Sequence, residues 1–196
     1  MIAYLHGKLP FKSPTNVHLD IGGIAYDVQI SLNTYGQLES LEEAKLFTHL
    51  IIRDDAHSLY GFFQEEERDL FIKLVSVSGI GPNTARVILS YMTPVEAASA
   101  ILTDNVAAFK KVKGVGPKTA QRIILDLKDK IAKDALSTSP ILNIPNSGIR
   151  EEAISALVAL GFQKSQVNKA VDKILSDNSN IDQVETLIKS VLRQIS

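Results

Sequence analysis

The sequence predicts a multidomain α+β chain with three structured parts: a small all-β domain, a central helical domain and a short three-helix module. Three observations predict it. Five short runs of strand-like character crowd into residues 1–62. The pattern Val77–Ala85 then recurs as Val112–Ala120, offset by 35 residues, with helical spacing on both sides of each copy. Finally, residues 135–148 carry no charge but three Ser, two Pro and two Asn, a linker composition, and helical spacing resumes in 149–196.

Within residues 1–62, Ile2–Lys8 reads as a first strand. Val17–Ile21 alternates apolar and polar side chains, as a half-buried strand does, and Ala25–Ile30 alternates again. Gly22-Gly23 between them completes a hairpin signal. Residues 31–42 are mixed and hold one short helical turn. Leu46–Arg53 and Ser58–Phe62 are two further strands, joined around Asp54-Asp55-Ala56. Five strands in this length make a small barrel or sandwich.

The helical domain spans 63–134. Glu65, Glu66 and Glu67 occupy a first helical turn, where carboxylates favour the positive end of the helix dipole. Leu70, Phe71, Leu74 and Val75 follow on one helix face. Breaks fall at Gly79–Pro82, Thr93-Pro94 and Gly114–Pro117. In 149–196, Ile154, Leu157, Val158 and Leu160 mark a helix ending at Gly161. Val167, Ala170, Val171 and Ile174 mark a second. Val184, Leu187, Ile188, Val191 and Leu192 mark a third.

Composition narrows the function classes. The chain has 196 residues, 45% of them hydrophobic, which is enough to bury a core. It has no Cys, which excludes disulfides, zinc ribbons and thiol nucleophiles. No run of 18 apolar residues exists and the start MIAYLHGKLP lacks a signal-peptide pattern, so a soluble intracellular protein is expected. No GxxxxGK[ST] phosphate loop is present, so any ATP hydrolysis belongs to another chain. No metal or cofactor is expected.

The repeat carries the chemistry. Each copy is helix, GxG turn, Pro, helix. Gly79 and Gly81 in the first copy, and Gly114 and Gly116 in the second, allow conformations that other residues resist and put no side chain in the way. Pro at the first helical position suits a helix start, whose first N–H groups lack partners. Such a start binds a phosphate whatever the base sequence. A plainer reading makes the glycines part of two tight structural turns; for a lone copy it would be favoured. Two copies in one apolar frame favour phosphate binding by a tandem helix-hairpin-helix. Lys113, Lys118 and Arg122 cluster around the second copy, and Asn83 and Arg86 follow the first.

The formal net charge of −1 conceals a division. Residues 1–62 hold 4 basic and 7 acidic residues, whereas 63–133 hold 11 and 8. Between Asn83 and Lys118 there are five basic residues and two acidic ones. A local basic face is what counterion release from DNA requires. Asp54-Asp55 has three readings: a Mg²⁺ or acid–base site, a solvated hairpin tip, or a charge that keeps phosphates out of one place.

The ordered set resembles the RuvA family of Holliday-junction-binding proteins. The carrying segments are MIAYLHGKL, Arg53–Phe62, both hairpins and Ala156–Phe162. The resemblance implies an OB-fold barrel over 1–62 that assembles as a homotetramer, with an octamer on DNA as a further form. It implies a tandem helix-hairpin-helix domain over 63–134, a flexible linker over 135–148 and a UBA-like three-helix module over 149–196. Each pair of hairpins would hold one arm of an open, square-planar four-way junction. Asp54 and Asp55 would form an acidic pin near the junction centre. Arg53, beside the pin, is a further expected phosphate contact. The C-terminal module would contact the hexameric RuvB ATPase, with Leu157, Leu160, Phe162 and Leu187 as candidate contacts; the RuvC resolvase is a further candidate partner. In this family Lys often follows Gly-Pro of the first hairpin, where this chain has Asn83, so the backbone N–H groups of Gly79 and Gly81 are expected to carry more. In the second hairpin Pro117 stands where a basic residue can occur.

Two other classes remain open on sequence alone. A helix-hairpin-helix nuclease or glycosylase would need a catalytic Asp beyond the second hairpin. Asp134 lies near that distance but leads into the linker. A protein scaffold would use the hairpins only as structural turns.

Overall fold

The computed structural model describes residues 2–54, 56–138, 147–177 and 183–195. Two compact units divide the chain, Met1–Thr138 and Ser139–Ser196.

The first unit begins with five strands: β1 (Tyr4–Lys12), β2 (Asn16–Asp20), β3 (Ala25–Ile30), β4 (Glu43–Ile52) and β5 (His57–Phe62). Their order is β1-β2-β3-β5-β4, and β4 pairs back to β1, so the sheet is a closed barrel rather than a sandwich. Only β3 and β5 run parallel, with Val28 opposite Leu59. Alternation places Leu5, Leu9, Val17, Leu19, Val28 and Ile30 inside. β1 runs to Lys12, beyond its expected end at Lys8. It does so through a register shift between Lys8 and Phe11, where Pro10 needs no ladder donor. Gly7 is required by close approach: a Cβ there would lie 2.2 Å from the Asp20 carbonyl oxygen.

Between β3 and β4 runs α1 (Leu32–Leu38), two turns where one was expected. Ser31 caps it, its Oγ accepting from the Thr34 N–H. α1 clasps the barrel to the helices. Leu32 N–H donates to Ser90 Oγ at 3.0 Å, and Asn33 Nδ2 donates to the carbonyls of Leu89 and Met92.

The helical part comprises α2 (Glu65–Val75), α3 (Pro82–Tyr91), α4 (Pro94–Leu102), α5 (Val106–Lys110) and α6 (Pro117–Thr138). The expected breaks are present. A further one at Thr103–Asn105 was not expected; Asp104 takes φ 55° and Asn105 caps α5. α6 continues through Thr138, into the stretch expected as linker, because Ala135 and Leu136 favour helix; residues 139–146 of that stretch lie outside the described residues. The strand β5 joins the two cores: Leu59 packs in the barrel, while Tyr60 and Phe62 pack with α2, both rings 4.9 Å from Phe71.

The second unit holds α7 (Ser147–Ala159), α8 (Lys164–Asp177) and α9 (Val184–Ile195). Gly161, at φ 96°, ends α7: the Phe162 N–H turns back to the Leu157 carbonyl. The core takes Leu157 and Leu187, both fully buried. This corrects their assignment to a docking surface, since a side chain that builds the bundle is closed to a partner. Phe162 is half-buried against the same core, and Leu160 is 64% exposed.

Candidate nucleic-acid interface

The two repeat copies fold alike, and for the same reason. Val77, Ile80 and Ala85 are buried, as are Val112, Val115 and Ala120. The Ile80 N–H reaches the Val77 carbonyl at 3.0 Å, and the Val115 N–H reaches that of Val112 at 3.1 Å. Gly79 and Gly114 both take φ 90°, a conformation that L side chains resist. The apolar anchors pull each turn inward, and the left-handed glycine reverses the chain between them.

What then faces solvent is a helix start. Gly81 precedes α3 in an extended conformation, with no side-chain cap, and Pro82 follows at the first helical position. At α6, Gly116 likewise stands immediately before Pro117, the first helical residue. Proline has no N–H, so Asn83 and Thr84 carry the first donors of α3, and Lys118 and Thr119 those of α6. Gly79, Gly81, Gly114 and Gly116 are all exposed, with nothing within 4 Å of where a Cβ would stand. Each helix start therefore leaves its first N–H donors facing open space.

The basic residues divide into two sets. Arg86 Nη1 donates to the Thr15 carbonyl and Nη2 to Asn83 Oδ1, each at 2.8 Å, which fixes the first hairpin to the β1–β2 loop. Arg122 reaches from α6 to the carbonyl and Oγ of Ser78, tying the second hairpin to the first turn. Lys113 and Lys118 are exposed and have no such internal partner among the described residues. Sequence reasoning grouped all four as phosphate contacts; it had no signal for the targets of the two arginines, which lie 71 and 44 residues away.

Asp54 is exposed on the tight turn after β4, which the Arg53 N–H closes onto the Ala56 carbonyl at 2.9 Å. Asp55 lies outside the described residues. The turn adjoins the first hairpin: Arg53, Ser58 and Tyr60 share a cleft with Gly81, Pro82 and Asn83. The structure thus brings Arg53 beside the hairpin that lacks a lysine. The second hairpin contributes no residue to that cleft. Among the described residues no three His, Asp or Glu side chains converge as a metal site would need, and no helix is long and apolar enough to cross a membrane.

Known proteins share this arrangement from end to end. Residues 1–61 match the RuvA N-terminal domain model, 71–129 a SAM-like helix-hairpin-helix tandem, and 148–196 the RuvA C-terminal domain. A protein of Cytophaga hutchinsonii is 47% identical over 98% of this chain and 99% of its own length. One of Flavobacterium psychrophilum is 46% identical over the whole of both chains, and one of Bacteroides fragilis 44% identical over the whole of both. Each is described as the Holliday junction branch migration complex subunit RuvA. With the barrel, the paired hairpins and the terminal helices all matched in order, this chain belongs to the RuvA family.

Proposed function

We propose that this chain binds four-way DNA junctions by their shape, holds them open and square-planar, and recruits the RuvB ATPase for branch migration in recombination and repair. The observation that carries the reading is the pair of like, uncovered helix starts on one compact unit. Each offers backbone donors to a phosphate, and neither offers a side chain that reads bases. Lys113, Lys118 and Arg53 add charge to them, while Arg86 and Arg122 hold the hairpins in place.

Four copies related by four-fold symmetry would present eight hairpins, two to each arm, with Asp54 and Asp55 near the centre. There the acidic pair repels phosphates and guides strands from one arm to the next. The subunit is non-catalytic in this reading, acts in the bacterial cytoplasm, and leaves ATP hydrolysis to its partner. Leu160 and the exposed part of Phe162 are the described candidate contacts of the C-terminal module for that partner.

Gel-shift titration on four-way and linear DNA at several salt concentrations tests this, beside a mass measurement of the free protein. The expected result is a tetramer that prefers the four-way junction, with affinity falling steeply as salt rises. Equal affinity for both DNAs would count against junction recognition. Turnover of junction, flap or damaged duplex with Mg²⁺ would instead support an enzyme.

A further inference from the structure

The cleft between the acidic turn and the first hairpin holds a polar group that the fold does not use. Its volume is about 220 Å³. Tyr60, only 5% exposed, lines it from the barrel side. The Tyr60 ring packs on Phe71, yet its hydroxyl has no hydrogen-bond partner among the described residues. Burial raises the pKa of this phenol, so the group keeps its proton and is a donor. Phenylalanine would pack as well, so the fold itself does not call for the hydroxyl, which opens onto the cleft.

The surroundings say what kind of acceptor fits. The charges that act on the hydroxyl are Arg86 and, second, Arg53, both positive. Across the cleft stand Gly81, Pro82 and Asn83, the uncovered start of α3. None of the described residues lining the cleft is acidic. Hydroxyl, guanidinium and backbone donors together select an oxyanion small enough to enter.

Position then says which one. The cleft is bordered by Arg53 and Ala56 of the turn that carries exposed Asp54. A duplex running straight on past the first hairpin would bring further phosphates against that carboxylate and be repelled. A strand that turns aside at this point brings only one. We propose that the cleft receives a single backbone phosphodiester of the strand that changes arms at the branch point, with the Tyr60 hydroxyl as its hydrogen-bond donor. This assignment rests on the junction-binding reading above, and it supplies the first hairpin with contacts that Asn83, already engaged by Arg86, does not provide.

The test uses the full chain and the variant Tyr60→Phe, which removes the hydroxyl and keeps the ring on Phe71. Binding is titrated against a four-way junction and a linear duplex of the same arm sequence, with thermal melting as the folding control. Junction affinity should fall at least about tenfold, the smallest loss expected for one hydrogen bond to a charged acceptor and exceeded where each assembled copy loses one, with linear-duplex affinity and melting temperature unchanged. Unchanged junction affinity overturns the assignment. So does an equal loss on both DNAs, which would make the contact an ordinary arm contact. The wild-type chain separates the two readings: if it fails to prefer the junction, the parent reading falls; if it prefers the junction and Tyr60→Phe behaves identically, only the cleft assignment falls.

Discussion

Gly79 and Gly81 sit two residues apart and answer to different demands. Gly79 is held at φ 90°, so any side chain there strains the backbone. Gly81 has an ordinary φ of −83° and open space where a Cβ would go. Nothing in the fold requires it to be glycine; the surface it leaves bare is what an incoming phosphate backbone would meet. The second hairpin repeats the contrast with Gly114 and Gly116. Gly79→Ala and Gly114→Ala should each cost about 1–2 kcal/mol of stability, measurable by urea unfolding. Gly81→Ala and Gly116→Ala should leave stability unchanged and weaken DNA binding. Equal stability losses in all four would show that the second glycine of each turn is structural after all. A like contrast separates the cations. Replacing Lys113 or Lys118 with Gln should lower the slope of log affinity against log salt by about one for each bound copy of the chain. The glycine spacing was legible in the sequence because local conformation imposes it. The internal roles of Arg86 and Arg122 were not, because only tertiary packing brings Thr15 and Ser78 to them.

At the level of elements, the junction of α1 with α2 decides where the hairpins stand relative to the barrel. Glu67, 1% exposed, accepts from Ser31 Oγ at 2.5 Å and from Thr34 Oγ1 at 2.8 Å. Thr34 Oγ1 in turn accepts from the Phe63 N–H. The sequence offers Glu67 as one of three acids in a first turn, and two of them, Glu65 and Glu66, do face solvent there. Nothing local marks the third as the buried one; that follows from α1 folding over it, and α1 itself exceeds the single turn its mixed residues suggest. The strands were more legible, because alternation records which face is buried, and their ends less so, because bulges and caps set those. Burial raises the pKa of Glu67, and the hydrogen bonds from Ser31 and Thr34 oppose that shift only in part. The folded chain therefore binds this proton more tightly than the unfolded chain. The associated stability is full below the ordinary carboxylate value of 4.5 and is lost as pH rises through the raised value. Glu67→Gln keeps a neutral hydrogen-bonding group, so its stability relative to wild type should grow as pH rises across that interval. Denaturant midpoints taken from about pH 4 to pH 8 check this, and a constant difference would refute it. Glu67→Ala should cost about 2–4 kcal/mol, because it leaves two buried hydroxyls short of a partner and opens a cavity.

Over the whole molecule, a near-zero net charge is the sum of an acidic barrel and a basic helical region. If the barrel's Asp54 and Asp55 act by repulsion, replacing both with Asn should leave junction affinity unchanged or tighten it in the same gel-shift titration. A large loss would show that they hold the DNA directly. The division of labour extends to the second unit. Residues up to Thr138 contain two cores, in the barrel and among α2–α6, and neither draws a residue from α7–α9. The second unit has its own core of Ala153, Leu157, Val167, Val171, Leu187 and Val191. Its six basic residues are matched by six acidic ones over 149–196, so it lacks the cationic excess of the hairpins. Both uncovered helix starts, the free lysines and the Tyr60 cleft belong to the first unit. A chain ending at Thr138 should therefore fold, with a cooperative melt of its own, and bind the four-way junction with affinity within about threefold of the full chain. It should fail to stimulate ATP-driven branch migration, because the surface offered by Leu160 and Phe162 has gone with the second unit. Leu160→Ser in the full chain is the finer probe: at 64% exposure the residue does not hold the bundle together, so the variant should melt like wild type, bind DNA like wild type and lose stimulation. Stimulation retained by the truncated chain would place the motor's docking surface on the first unit.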